Sequence, residues 1–382
     1  MRWNWQQPDW PDFTYDPGAL EALERRFLLA SGEVTGALRH VGDAGRALLR
    51  IELISEEAIK TSAIEGEMLD RASVQSSLRR AFGLDAEAGP ARPGERGIAE
   101  MMADLVRTYA SPLTHEALHR WHGMIMAGAR RIETIGAYRI HADRMQIVSG
   151  NLAEPRVHFE APPSEKVPAK MSRFVDWFNA TAPDAGKPLP ALARAGIAHL
   201  FFESIHPFED GNGRIGRAVS EKSLAQSLGR PTLIALAHQI ERRRTAYYDA
   251  LERANKTNAV TDWLVYFGET VLAAQQTTLE RIAFHIAKTR LYDRYATRFN
   301  ARQQKAVARM LREGPDGFKG GLSAENYIAI TRASRATTTR DLSELVRMGA
   351  LRRSGERRHT RYFLNLDAVS PAPPAAGAGP GG

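Results

Sequence analysis

The chain has 382 residues, 43% of them hydrophobic and 25% charged, with a net charge of +8 and no cysteine. That length suits two or three domains of ordinary globular composition. The missing cysteine excludes disulfide scaffolds, thiolate zinc sites and cysteine nucleophiles. No run of 18 apolar residues occurs, and the first eight residues lack the apolar core of a signal peptide; a cytoplasmic protein that spans no membrane is therefore expected.

Residues 17–80 are helical in pattern, with Leu48, Leu49, Ile51, Leu53 and Ile54 spaced among charges. Residues 88–94 (Ala-Gly-Pro-Ala-Arg-Pro-Gly) read as a linker. Two further helices are predicted over 97–109 and 114–126. Residues 132–163 change character, and strands over 134–140 and 146–151 with a turn at 141–145 make a short β-hairpin. Helical pattern returns at Ser164, breaks over 181–190, and resumes as an apolar helix over 191–205. Two long helical stretches follow. Residues 370–382 are Pro, Ala and Gly only, apart from Ser370, and read as disordered. The start, with Trp3, Trp5 and Trp10, is expected to fold back onto the body.

The sharpest local feature is His206-Pro207-Phe208-Glu209-Asp210-Gly211-Asn212-Gly213-Arg214-Ile215-Gly216-Arg217, between the apolar helix and another helical stretch. Gly-Asn-Gly admits positive φ and close backbone approach, so successive N–H groups at a helix start can face an anion. Arg214 and Arg217 fall on one helix face and can clamp phosphate oxygens. Asp210 suits one edge of a Mg²⁺ site completed by substrate phosphates. His206 is of the residue type that most often serves as a general base. The alternative, a Gly-rich helix–helix turn with solvated arginines, does not account for a base, an acid, a nest and two arginines within 12 residues.

These residues resemble the Fic family signature, H-x-F-x-(D/E)-G-N-G-R-x-x-R, at every defined position. Tyr138-Arg139 and the hairpin around it resemble the family's flap, which aligns a target segment by strand addition. Ala161-Pro162-Pro163, Trp177-Phe178-Asn179 and Tyr247-Tyr248-x-x-Leu251 also fit, so about half of the chain, residues 97–290, follows the family core in order. The resemblance implies a mostly helical fold, with a Fic-type core, a β-hairpin flap and an N-terminal helical extension. It implies an enzyme, a protein adenylyltransferase, that moves AMP from ATP to a Ser, Thr or Tyr hydroxyl. His206 would be the base and Asp210 the Mg²⁺ ligand. The phosphates would meet Gly211, Asn212, Gly213, Arg214, Ile215, Gly216 and Arg217, and Arg243 and Tyr247 would line the base pocket. The related phosphorylating branch has Ala-Asn-Lys in place of Gly211-Asn212-Gly213, which argues for nucleotidyl transfer here.

Thr61-Ser62-Ala63-Ile64-Glu65-Gly66 resembles the family's inhibitory motif, (S/T)-x-x-x-E-(G/N), placed before the core. Glu65 paired with Arg217 would then occupy the position the γ-phosphate needs, or position a water for AMP removal. The competing reading is a charged helix end stopped by Gly66. His115-Glu116-Ala117-Leu118-His119 fits the zinc signature H-E-x-x-H, but its extended form fails at His122 and Ile125. His119, His122 and His199 therefore read as packing histidines.

Residues 299–363 hold 14 Arg/Lys against 6 Asp/Glu, while the rest of the chain nearly balances. Helices over 301–311, 323–330 and 335–348, followed by strands at 351–353 and 360–364, read as a winged helix. Ser334 is the N-cap of the third helix and Gly349 its stop. Arg335, Thr337, Thr338 and Arg340 would face a DNA major groove, and Arg357 and Arg358 its backbone or minor groove. Protein docking is the alternative use of this module. The expected organisation is an N-terminal helical extension (1–95), a catalytic core (96–298), a winged helix (299–366) and a disordered tail (367–382). The expected partners are ATP with Mg²⁺, a protein target, self-modification and DNA, with homodimer formation open. A DNA-binding regulator that senses nucleotide is the alternative from another class.

Overall fold

In a computed structural model, the described residues are 2–39, 41–85, 91–150, 155–314, 318 and 320–366. The side chains of Ala44 and Arg358 are outside the description, as are residues 88–90 of the expected linker and the whole of 367–382. The chain divides into two compact units, Met1–Gly36 with Asp43–Thr278, and Ala37–Gly42 with Leu279–Gly382. The first takes in both the N-terminal extension and most of the expected core.

The helices preceding the hairpin are α1 (Pro17–Arg39), α2 (Asp43–Ile64), α3 (Arg71–Ala81), α4 (Pro93–Thr108) and α5 (His115–Ile125). Pro93 at the first position of α4 lacks only an N–H that would have had no helical acceptor. The hairpin is β1 (Gln146–Ser149) with β2 (Arg156–Glu160), antiparallel, Gln146 opposite Glu160. Then come α6 (Val167–Ala180), α7 (Ala191–Ile205), α8 (Asn212–Leu228), α9 (Leu236–Arg242), α10 (Arg244–Ala254) and α11 (Thr261–Tyr295).

Every residue of α7 is buried. Its apolar residues fall on every side, with Arg194, His199, Glu203 and Ser204 the polar exceptions, so it sits as a central helix. Phe201, Phe202 and Ile205 pack into one side of the core with Phe174 and Phe208, and Ile197 and Leu200 into the other with Leu264 and Phe267. α8 runs back along α7 and is nearly as deeply buried. The tryptophan-rich start does fold onto this body. Trp10 sits edge-on to Phe201 at 5.1 Å, Trp3 against Phe159 of β2 at 5.4 Å, and Trp5 Nε1 donates to the Glu160 carbonyl at 2.7 Å.

The expected hairpin is corrected at its first strand. Residues 134–140 are irregular, and β1 pairs instead with 156–160. Their backbone donors are taken by distant partners: Thr134 N–H by the Glu209 carboxylate (3.1 Å), Gly136 N–H by His122 Nδ1 (2.9 Å), and Arg139 N–H by the Pro207 carbonyl (2.9 Å). With these donors committed elsewhere, the segment cannot pair along its length as a strand.

The second unit holds α12 (Ala301–Leu311), α13 (Ala324–Thr331), α14 (Arg335–Met348), β3 (Leu351–Ser354) and β4 (Arg361–Leu364), the last two antiparallel. It begins upstream of residue 299 because Leu291 and Tyr295, late in α11, share its core with Val307, Tyr327 and Leu345. Ser334 caps α14 by accepting from Thr337 N–H, and Gly349 ends it at φ 84°. Thr338 is only 1% exposed, so it packs in the core and cannot read a groove; Arg335 and Arg340 are exposed.

Candidate active site

The site is the turn between α7 and α8. His206 is the C-cap of α7, in the left-handed region at φ 50°, with its N–H bonded to the Phe202 carbonyl. Three devices hold the turn that follows. The Asn212 amide closes a reciprocal pair with Phe208, accepting from its N–H at 2.9 Å and donating to its carbonyl at 2.8 Å. Asp210 Oδ1 accepts from Gly211 N–H at 2.6 Å, and Gly211 adopts φ 79°. The third device is Arg139, 1% exposed, whose Nε donates to the His206 carbonyl (2.8 Å) and whose other nitrogens reach Ser164 Oγ and the Pro162 carbonyl. Burial lowers the Arg139 pKa to about 10, still far above neutrality.

The helix that leaves the turn presents its first N–H groups without helical acceptors, and a carboxylate already stands over them. A Cβ on Gly213 would collide with Glu65 Oε1, so this approach requires glycine. Glu65 Oε1 also accepts from Arg217 NH2 at 2.6 Å. Arg217, 3% exposed, gives its remaining bonds to Thr61, Nε to Oγ1 (2.7 Å) and NH2 to the carbonyl (2.9 Å). Burial alone would lower the Arg217 pKa; Glu65, together with Tyr247 and Glu203, outweighs burial and raises it. The positive φ of Gly66 (85°) turns the chain just past α2. Glu67 then reaches the other arginine, accepting from Arg214 NH1 at 2.8 Å. Both arginines of the turn are thus held by carboxylates from one helix end.

Glu65, Glu67, Asp210 and Arg214 line a cleft of about 350 Å³, walled opposite by Gly94 and Met126. The side chain of Asp210 is 60% exposed there, its Oδ2 3.7 Å from Arg214. A single open carboxylate beside a phosphate-sized anion site fits a Mg²⁺ that keeps most of its ligands from water and phosphate. Ile215 is wholly buried, so its side chain anchors α8 and only its backbone is near the site.

A second cleft of about 390 Å³ separates β1 and β2 from α10 and is lined by Ile147, His158, Phe159, Arg244, Tyr248 and Glu252. The structure does not place Tyr247 on it. Tyr247 is 2% exposed, with its hydroxyl 2.7 Å from His199 Nε2 inside the core, and the neighbouring Tyr248 faces the cleft. Arg243 is exposed at the α9–α10 junction, and Arg244 lines the cleft. Helical phase separates these neighbours, and one sequence cannot resolve a single-residue offset.

The histidines of the zinc-like pattern serve packing. His115 Nδ1 meets the Tyr138 hydroxyl at 2.7 Å, and His119 sits edge-on to the same ring at 4.4 Å. His122 stacks on Phe208 at 4.2 Å, and burial lowers its pKa to about 4. Among the described residues no group of three His, Cys, Asp or Glu could hold a metal ion, and no helix is long and apolar enough to cross a membrane. Sequence reasoning missed Glu67, the stapling role of Arg139, and Glu203, a buried carboxylate one turn before His206. Their only signal was spacing from the motif.

The model for the Fic/DOC family matches residues 112–224, a span that contains the whole α7–α8 turn. Residues 112–224 are thus similar to the Fic/DOC family. Residues 3–84 match a second family, described as a domain of unknown function (DUF4172), which includes the Glu65 helix. Among curated proteins, this chain is 26% identical over 220 residues to a protein adenylyltransferase Fic of Culex quinquefasciatus, covering 57% of this chain and 40% of that one. It is 28% identical over 119 residues to a probable protein adenylyltransferase of Aquifex aeolicus, covering 29% and 36%. The chain therefore spans less than half the length of these relatives. In fold it is similar to a Fic family protein from Desulfovibrio desulfuricans G20, with a TM-score of 0.52 at 21% identity, covering 93% of this chain and 98% of that one. It is also similar to a Fic domain containing signaling protein from Bacteroides thetaiotaomicron, with a TM-score of 0.50 at 18% identity, covering 70% and 97%.

Proposed function

We propose that this chain is a protein adenylyltransferase that moves AMP from ATP to a protein Ser, Thr or Tyr hydroxyl, and that Glu65 holds it inactive. The observation that carries this is the Glu65 carboxylate seated against Gly213 and bonded to Arg217. An internal anion fills a site built from a helix N-terminus and an arginine, and a phosphate has the same needs. When Glu65 leaves, Arg217 and Arg214 are free to engage the distal phosphates and the first turn of α8 their oxygens. His206 takes the proton of the target hydroxyl as its oxygen attacks the α-phosphorus, and the bond to pyrophosphate breaks. Asp210 would hold Mg²⁺, which when bound would offset phosphate charge. Positioning and fixed dipoles carry the rate. Glu65→Gly protein given ATP labelled at the α- or the γ-phosphate tests this, with His206→Ala as control. Protein labelling from the α position alone, lost with His206, supports transfer; labelling from the γ position makes the chain a kinase. Release of AMP from modified protein without labelling favours removal, with Glu65 orienting the water.

The second unit supports a separate reading as a DNA-binding module. Arg335 and Arg340 on α14, Arg353 on β3 and Arg357 after it are all exposed, in the stretch that carries the chain's excess charge. Fluorescence anisotropy with a 20-base-pair duplex, titrated with salt, tests it. Binding should weaken steeply with salt, and Arg335→Ala with Arg340→Ala should flatten the log–log slope by about one unit per lost phosphate contact. Salt-insensitive binding, or none, would assign the module to protein.

A further inference from the structure

The reaction scheme leaves one buried charge beside the base unused. Glu203, on α7 one turn before His206, is 5% exposed, and its Oε2 lies 3.6 Å from His206 Nδ1. His206 Nδ1 is itself buried without a hydrogen-bond partner among the described residues, and so is Glu203 Oε1. Burial alone would raise the Glu203 pKa, but His206, His199 and Arg217 together outweigh it and hold the carboxyl below its usual range. An ionised carboxylate in the interior is stable only if something answers its charge.

The neighbouring groups are largely committed elsewhere. On α7, His199 directs Nε2 to the Tyr247 hydroxyl of α10 at 2.7 Å, while its Nδ1, like that of His206, is buried without a hydrogen-bond partner among the described residues. On α8, the bonds of Arg217 go to Thr61 and Glu65. Gly216 lets the carboxylate press against the α8 backbone, where a Cβ would stand 2.5 Å from Oε1. The imidazole of His206 is left between Glu203 on one side and Phe159 of β2, 6.4 Å away, on the other. The 3.6 Å separation is longer than a hydrogen bond, and catalytic hydrogen bonds commonly tighten when substrate binds.

We propose that Glu203 is a positioning residue for His206: it keeps the proton on Nδ1, leaves the Nε2 lone pair free for the target hydroxyl, and steadies the imidazolium that forms. This rests on the reading of His206 as the base. It also gives Gly216 a role that needs no contact with nucleotide, since any side chain there displaces the carboxylate.

The test uses the full chain in the Glu65→Gly background, comparing Glu203→Gln, Glu203→Asp and His206→Ala. The readouts are α-phosphate labelling against pH, KM for ATP, and ¹⁵N NMR of the His206 ring. Glu203→Gln should lower kcat by about 10- to 1,000-fold with KM for ATP nearly unchanged. It should also move the acidic limb of the profile to lower pH, because a lost anion makes the imidazolium easier to deprotonate. The ring should pass from a single Nδ1–H tautomer to a mixture, and Glu203→Asp should recover part of the rate. An unchanged rate, limb and tautomer in Glu203→Gln would overturn the proposal, as would a raised KM with kcat intact, which would assign Glu203 to Arg217. Full activity in His206→Ala would instead overturn the base itself, and the proposal with it, whatever Glu203→Gln does.

Discussion

Replacing Glu65 should weaken the resting protein and open it to nucleotide at once, because one contact serves both ends. Arg217 is 3% and Glu65 27% exposed as side chains, with NH2 and Oε1 at 2.6 Å. Breaking a fully buried pair costs about 3–5 kcal/mol. Water can enter the space Glu65 leaves, and Thr61 keeps two bonds to the guanidinium, so the loss here should be about 2 kcal/mol. For a unit of this size that lowers Tm by roughly 4–8 °C. The same 2 kcal/mol no longer opposes a phosphate at Arg217, so affinity for productively bound ATP should rise about 30-fold. Glu67 is the internal comparison. Its side chain is 40% exposed at Arg214, and solvent screening cuts its worth to about 0.5 kcal/mol, so Glu67→Ala should raise affinity only about twofold. Thermal melts of Glu65→Gly, Glu67→Ala and the double variant, with and without ATP and Mg²⁺, give both numbers. The crossing pattern is diagnostic: Glu65→Gly melts below the parent when empty and gains more from nucleotide. A Glu65→Gly protein as stable as the parent, with no larger nucleotide shift, would refute the reasoning.

Burial raises the Glu221 pKa to about 7, and it pushes the neighbouring Glu57 of α2 well above the carboxylate range, Glu221 adding to the effect. The folded chain therefore keeps protons that the unfolded chain releases. Their stabilisation is complete below about pH 4.5 and is lost as pH rises through about 7, so Tm should fall over that window and fall less in Glu221→Gln. Arg139→Ala strips buried carbonyls at Pro162 and His206 of their donor; a loss of about 3 kcal/mol in melts and near-complete loss of labelling are expected. Asp341, 1% exposed, joins Arg302, Tyr327 and Asn300 in the second unit. Asp341→Ala should cost about 3 kcal/mol, visible as an earlier melting of that unit by hydrogen exchange while labelling activity persists.

The chain's own order carried the site's core. His206, Asp210, the two glycines and the two arginines lie within one turn and the start of one helix, so their meeting needs no tertiary knowledge. The same holds for α14, whose Ser334 cap and Gly349 stop are local interactions. The strand expected over 134–140 failed where Thr134, Gly136 and Arg139 give their N–H groups to Glu209, His122 and Pro207, partners set by folding. Tertiary structure alone placed Tyr247 inward and Tyr248 outward, brought Glu67 to Arg214 across 147 residues, and set Arg139 beneath His206. It also decided that Glu203 is a buried anion rather than a solvated one, since its environment comes from α8 and α10. Sequence determines what is bonded or adjacent along a helix; burial and charge partnership belong to segments that meet only when the core closes, and those set which of the chain's many carboxylates act.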